Sequence, residues 1–238
     1  MSLTPCHKTS IANNLEQIQR NIVTFCQKYQ RKPSSVKLLA VSKTKPAADI
    51  LYAFNAAQTC FGENYLQEAV EKIQQLERHA IEWHFIGAIQ SNKTRELAEK
   101  FSWIHSIDRL KIAQRLSQQR PVHLSPLNIC LQVNISQETS KSGFHLTDIA
   151  SIADKVIALP NINLRGLMAI PAKADTLEQQ REIFAQMKHA FIALQQKYSQ
   201  IDTLSMGMSN DMEAAIAEGS TLLRIGSAIF GTRNPSAL

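Results

Sequence analysis

The amino-acid sequence predicts an α/β protein: one (β/α)8 TIM barrel with an extra N-terminal helix. Three observations carry that prediction. From Val36 onward, short apolar or β-branched runs alternate with helical patterns, which implies a parallel sheet covered by helices. The unit recurs eight times in about 200 residues, the count and length of a closed barrel. No linker or low-complexity tract interrupts the chain, so residues 1–238 are expected to form a single domain. A doubly wound open sheet would also alternate, but no G-x-G-x-x-G follows the first strand.

Apolar residues at Ile11, Leu15, Ile18, Ile22, Phe25 and Cys26 have helical spacing, and Ser10 precedes them as a candidate N-cap. This helix, Ile11 to Gln30, precedes the first strand and is expected to pack onto or plug the barrel. The first strand, Val36 to Val41, ends in Ser42-Lys43-Thr44-Lys45-Pro46, and Pro46 suits the start of a helix. A helix through Ile50, Leu51, Phe54 and Ala57 follows, then strand Thr59–Phe61 ending on Gly62-Glu63-Asn64. Tyr65 to Leu76 reads as helix, Ile81 to Ile86 as strand, and Ser91 to Lys100 as helix. Strand Ser102–Ser106 leads to Asp108 as the cap of a helix reaching Ser117. Strand Leu127–Asn134, helix His145–Ala158, strand Ile162–Ile170 and helix Thr176–Tyr198 continue the alternation. Strand Asp202–Met206 opens a helix over Asp211–Glu218, where Asn210 and Glu213 have capping-box spacing. Leu222–Ile225 is the eighth strand.

Hydrophobic residues at 44% suffice for a large core, and 19% charged residues argue against disorder. No apolar run approaches the ~20 residues of a membrane-spanning helix. The N-terminus lacks the apolar segment of a secretory signal, so a cytoplasmic protein is expected. Four scattered cysteines without a C-x-x-C pair point to free thiols rather than a metal or redox motif. A net charge of +6 invites a phosphate or nucleic-acid partner. The basic residues are dispersed among acids, however, which favours a solvated surface over an RNA face.

In such a barrel the C-terminal strand ends converge on one mouth, where ligands bind. Here they supply Lys43, Asn64, His84, Ser106, Asn134, Met168, Ser209 and Arg224. A lysine that loses water there has its pKa lowered and becomes a nucleophile toward aldehydes. The alternative is a strand-tip lysine that snorkels to solvent. Ser205-Met206-Gly207-Met208-Ser209-Asn210 and Arg224-Ile225-Gly226-Ser227-Ala228-Ile229-Phe230-Gly231 place glycines and hydroxyls after strands seven and eight. Those two loops are the usual phosphate site of this fold, although the glycines could equally serve tight turns. An aldehyde-seeking amine opposite a phosphate cradle suggests pyridoxal 5'-phosphate, with Arg224 between them facing the pyridine nitrogen.

Leu39-Ala40-Val41-Ser42-Lys43-Thr44-Lys45-Pro46, Phe61-Gly62-Glu63-Asn64-Tyr65 and Trp83-His84-Phe85-Ile86-Gly87 resemble blocks of the pyridoxal phosphate homeostasis proteins. Ser140-Lys141-Ser142-Gly143, Arg165-Gly166-Leu167-Met168 and the two glycine-containing loops complete a resemblance that spans nearly the whole chain. It implies a fold like the N-terminal barrel of alanine racemase, with the cofactor as an internal aldimine on Lys43. It further implies Arg224 at the pyridine nitrogen, Ser209, Gly226 and Ser227 at the phosphate, and Asn64 as a further contact. The family commonly has threonine where Ser227 stands, and the hydroxyl is retained.

The resemblance implies no established catalytic activity and a role in vitamin B6 and amino-acid balance. The residues agree, because racemisation needs acid–base groups on both faces of the α-carbon. Alanine racemases bring the second, a tyrosine, from an additional C-terminal domain of a partner subunit, and this sequence stops at Leu238. A binding and delivery role is therefore expected, with apoenzymes as acceptors, Lys141 taking the cofactor in transfer, and a monomer as the default state. The competing expectations are a slow amino-acid racemase and a phosphate- or RNA-binding barrel with no Schiff base.

Overall fold

The computed structural model describes residues 5–136 and 142–232. Eight parallel strands close in sequence order, β1 pairing with both β2 and β8. They are β1 Lys37–Val41, β2 Cys60–Glu63, β3 Glu82–Phe85, β4 Trp103–Ile107, β5 Leu127–Val133, β6 Ile162–Ala169, β7 Thr203–Ser205 and β8 Leu222–Ile225. Helices α1 Pro5–Lys28, α2 Ala47–Asn55, α3 Leu66–Gln75, α4 Thr94–Lys100 and α5 Leu110–Gln119 follow the order of the sequence. So do α6 Ile149–Ile157, α7 Leu177–Lys197, α8 Met212–Ala217 and α9 Ser227–Phe230.

The period-two pattern of each strand divides its side chains between two layers. On β8, Leu223 and Ile225 join the large apolar layer between sheet and helices, whereas Leu222 and Arg224 alternate out of it. On β1, Leu38 and Ala40 face that layer and Leu39 and Val41 do not. Trp103, Cys130 and Met168 form a separate small cluster. The barrel interior is thus only partly apolar, and polar groups from β3, β4, β7 and β8 fill the remainder.

Helix α1 packs onto the barrel from outside, against α2, α8 and α9, and does not plug it. Ile11, Leu15, Ile18, Ile22 and Cys26 are its buried stripe, each aliphatic chain contributing about 1.5–3 kcal/mol of burial. Asn14 Nδ2 donates to Ile229 O at 2.9 Å, which ties this first helix to the last one.

Three helix starts differ from the sequence reading. Helix α1 begins at Pro5, a residue suited to a first helical position, so Ser10 lies inside it and caps nothing. Helix α5 has Arg109 at its N-cap without a side-chain cap, because Asp108 pairs with Arg109 at 2.8 Å instead. The Asn210–Glu213 box does not form either. Asp211 is the N-cap of α8, its Oδ1 accepts from Met208 N at 2.5 Å, and Glu213 is drawn to Lys28 and Tyr29 of α1. A capping box does form at α7, between Thr176 and Gln179.

Candidate functional site at the barrel mouth

Lys43 lies just past the C-terminal end of β1, in the loop to α2, and is half-buried. That loop is strained. Thr44 has φ 62°, a left-handed conformation that a β-branched residue rarely adopts. What holds it is a buried charge cluster beneath the loop. Lys72 Nζ of α3 donates to Ser42 O at 2.8 Å, Glu63 Oε1 at 2.7 Å and Glu68 Oε1 at 2.5 Å. Ser42 Oγ donates to Glu63 Oε1 at 2.6 Å, and Thr44 N donates to Glu68 Oε1 at 2.6 Å. The residues on either side of Lys43 are therefore both clamped. Burial pushes the Glu63 carboxyl up, with Lys72 and Ser42 opposing the rise.

A cavity of about 250 Å³ opens beside Lys43. Lys43, Asn64, Ser209, Arg224, Gly226 and Ser227, the six residues singled out in the sequence, all line it. Ile86 and Ile170 add apolar wall, and Thr44 and Lys45 come with the Lys43 loop. Lys45 stands in the same sequence block, where nothing but its neighbourhood to Lys43 marks it. Its Nζ donates to Thr232 O at 3.0 Å. A second cavity of about 270 Å³ adjoins the first, sharing Asn64, Ile86 and Ile170 and reaching Ser106 and Asn134.

The cavity chemistry matches a ligand with both polar and anionic parts. The Asn64 Oδ1 and Thr44 Oγ1 atoms are buried and have no hydrogen-bond partner among the described residues. Arg224 donates through Nη1 to Ser205 O at 2.6 Å and Ser205 Oγ at 2.8 Å, and through Nη2 to Ala169 O at 2.9 Å. Three of its five N–H groups are spent on fixing it. Burial lowers the guanidinium to about 10, with Asp211 opposing, so it stays a cation at neutral pH. At the start of α9, Ile229 N and Phe230 N donate back to Gly226 O. No carbonyl inside the helix precedes Ser227 and Ala228 to accept their N–H groups.

Two glycines matter here through close approach. A Cβ on Gly226 would lie 3.1 Å from Val41 O, so a side chain there would push this loop and β1 apart by a few tenths of an ångström. A Cβ on Gly87 would sit 2.0 Å from Asn64 O. Gly87→Ala must then displace the Asn64 backbone, at a cost of about 1–3 kcal/mol. A lowered urea midpoint is expected, together with weaker ligand retention. An unchanged midpoint would show that the loop yields freely.

Two of the expected mouth residues lie elsewhere. His84 points into the lower barrel, where its ring stacks on Trp103 with centroids 5.4 Å apart, and it is fully buried. Met168 is buried with Trp103 and Cys130. Period-two alternation places a strand-end residue inside or outside the barrel, but the sequence alone did not set how deep β3 reaches. Lys141, expected to take the cofactor in transfer, lies outside the described residues. Cys60, Glu82 and His84 gather three ligand-type atoms within 4.8 Å at the opposite rim. Lys37 Nζ, 3.7 Å from Glu82 Oε1, competes there with any cation.

The comparisons with known proteins agree with this geometry. The family model for the alanine racemase N-terminal domain matches residues 13–234. A pyridoxal phosphate homeostasis protein of Escherichia coli strain K12 is 54% identical over 229 residues, 95% of this chain and 98% of that one. A crystal structure of an unknown protein from Bifidobacterium adolescentis superposes with a TM-score of 0.91 at 31% identity, covering 96% of this chain and 98% of the other. PipY of Synechococcus elongatus, solved with PLP bound, superposes with a TM-score of 0.80 at 36% identity, covering 93% and 100%. The class is thus a barrel of the alanine racemase N-terminal type. Within that class, the chain belongs to the pyridoxal phosphate homeostasis protein family.

Proposed function

We propose that the chain binds pyridoxal 5'-phosphate at the barrel mouth and acts in vitamin B6 and amino-acid homeostasis as a carrier or regulator without catalytic turnover. The single observation that carries this reading is the convergence of the Lys43 amine, one buried guanidinium and two hydroxyl-bearing loops on one cavity. PipY, a relative with PLP bound, supports it. Lys43 Nζ adds to the aldehyde carbon, a C=N bond replaces C=O, and the oxygen leaves as water; hydrolysis reverses the step. Ser209, Gly226 and Ser227 hold the phosphate, and Asn64 contacts the ring. Arg224 donates to the pyridine nitrogen and keeps its own proton, which leaves the ring a weak electron sink.

The described lining of the cavity is consistent with carriage. Among the described residues that line it, the ionisable ones are Lys43, Lys45 and Arg224. No tyrosine, histidine or carboxylate there supplies acid–base chemistry on a second face of a substrate carbon. Bound cofactor is exchanged with apoenzyme acceptors through the open mouth, and the protein works in the cytoplasm as a monomer. No helix among the described residues is long and apolar enough to cross a membrane.

Borohydride reduction of the yellow protein, followed by peptide mapping, tests the assignment. The pyridoxyl adduct is expected on Lys43 and not on Lys45, and Lys43→Ala should lose the visible band. An adduct on Lys45, or a band surviving in Lys43→Ala, would refute the Schiff-base residue. Lys43-dependent exchange of an amino acid's α-proton in deuterated water would instead favour a slow racemase, and no visible band at all would favour a phosphate- or RNA-binding barrel.

A further inference from the structure

A chain of hydrogen-bonded side chains, buried except at Glu82, crosses the barrel from its lower rim to the cavity. Glu82 Oε1 lies 2.9 Å from His84 Nε2, and His84 Nδ1 lies 2.9 Å from His105 Nε2. His105 Nδ1 lies 2.9 Å from Ser205 Oγ, which accepts from Arg224 Nη1 at 2.8 Å. His84, His105 and Ser205 are completely buried. Four strands contribute: β3, β4, β7 and β8.

The Glu82 end dictates the sense of every bond when both rings are neutral. A carboxylate can only accept, so His84 carries its proton on Nε2 and donates to Glu82, which leaves Nδ1 as an acceptor. His105 then donates from Nε2 to His84 Nδ1, and its own Nδ1 accepts the proton of the Ser205 hydroxyl. Arg224, which can only donate, fits this sense by donating to the same Ser205 oxygen. Both rings are neutral with the proton on Nε2, and burial, which lowers the pKa of each, agrees. A tautomer change in His105 would leave two acceptors facing each other between the rings and force the Ser205 hydroxyl to turn, and one in His84 would set two donors against each other there.

We infer that His105, backed by His84 and Glu82, is a positioning residue that holds the Arg224 guanidinium in the cofactor cavity through Ser205, so that a change at the lower rim is felt at the cofactor. The inference rests on the pyridoxal 5'-phosphate reading, but half of its test does not. In the cofactor-free protein, two-bond proton–nitrogen spectra of the histidine rings should show His84 and His105 protonated on Nε2 alone at neutral pH.

In the loaded protein, Ser205→Ala removes one hydroxyl and is expected to release the cofactor roughly three- to tenfold faster, with a shifted absorption maximum. Glu82→Ala, at the far rim, should move the same band in the same direction, whereas Glu82→Gln, which keeps an acceptor oxygen, should restore it. Either ring protonated on Nδ1, or doubly protonated, would overturn the inference. So would correct tautomers with band and release rate unchanged in both Ser205→Ala and Glu82→Ala. If Ser205→Ala does not fold, the Glu82 pair decides alone. A wild-type chain that takes up no cofactor would defeat the binding reading and the positioning role with it, while the ring spectra would still show whether the chain of bonds exists.

Discussion

Replacing Lys72 with methionine is expected to destabilise the protein by about 3–5 kcal/mol, the usual cost of leaving a buried carboxylate without its partner. Lys72 is 4% exposed and Glu63 0%. Glu63 Oε2 already lacks a hydrogen-bond partner among the described residues, so the carboxylate has little else to turn to. Glu63→Gln introduced together with Lys72→Met should recover much of the loss, because exchanging both members of a buried pair is far less costly than removing one. Urea denaturation of both single variants and the double variant measures the coupling. Strictly additive losses would mean that the two residues do not act as a pair. The same lysine reaches Ser42 O and, through Glu68, holds the Thr44 amide. Lys72→Met should therefore also relax the left-handed Thr44 and slow formation of the Lys43 adduct, with Lys43 itself unchanged.

Mild acid should unfold the cofactor-free protein earlier than its carboxylates alone would require. Burial holds His84 and His105 below their ordinary value of 6.5, with Glu82 opposing for His84 while Lys37 adds to the depression, and with His84 and Arg224 adding to the depression of His105. A base whose folded pKa is depressed stabilises the fold above its unfolded pKa and loses that contribution as the pH falls. Below about pH 6.5 the unfolded chain takes up these two protons and the folded one does not. Stability should then fall by up to about 1.4 kcal/mol per pH unit for each ring. Glu63, Asp108 and Asp211, raised by burial, work in the opposite sense closer to the carboxylate range. Glu82, held at about 2 chiefly by its hydrogen bond to His84, adds a further loss between about pH 4.5 and 2. Urea midpoints from pH 7 to 5.5 should show a slope that His105→Gln roughly halves. An equal slope in that variant would remove His105 from the account.

Much of the fold and of the cavity lining was written in local pattern. Strand–helix alternation gave the closed barrel, and the position of Lys43, Asn64, Ser209, Arg224, Gly226 and Ser227 after strands brought all six to one cavity. What stayed hidden depends on register and depth. Glu68 and Lys72 are an i, i+4 pair that looks like ordinary surface charge; only the packing of α3 against the β1 loop turns the lysine inward. Glu82, His84 and His105 alternate correctly along β3 and β4, but their meeting with Ser205 needs the register of the closed sheet. Helix caps failed for a related reason: Asp108 and Glu213 each had a neighbouring or tertiary partner that outcompeted the local bond.

Most of the cavity lining comes from two distant stretches of the chain, Val41 to Lys45 and Met208 to Gly231, with Asn64, Ile86 and Ile170 between them. A polypeptide emerging from the ribosome presents Lys43 early but has no completed pocket until β8 docks beside β1 and α9 meets α1. The cavity is consequently a late product of folding. Whatever ligand fills the site also fastens the seam where the barrel shuts, stabilising the whole fold by mass action instead of stiffening one loop.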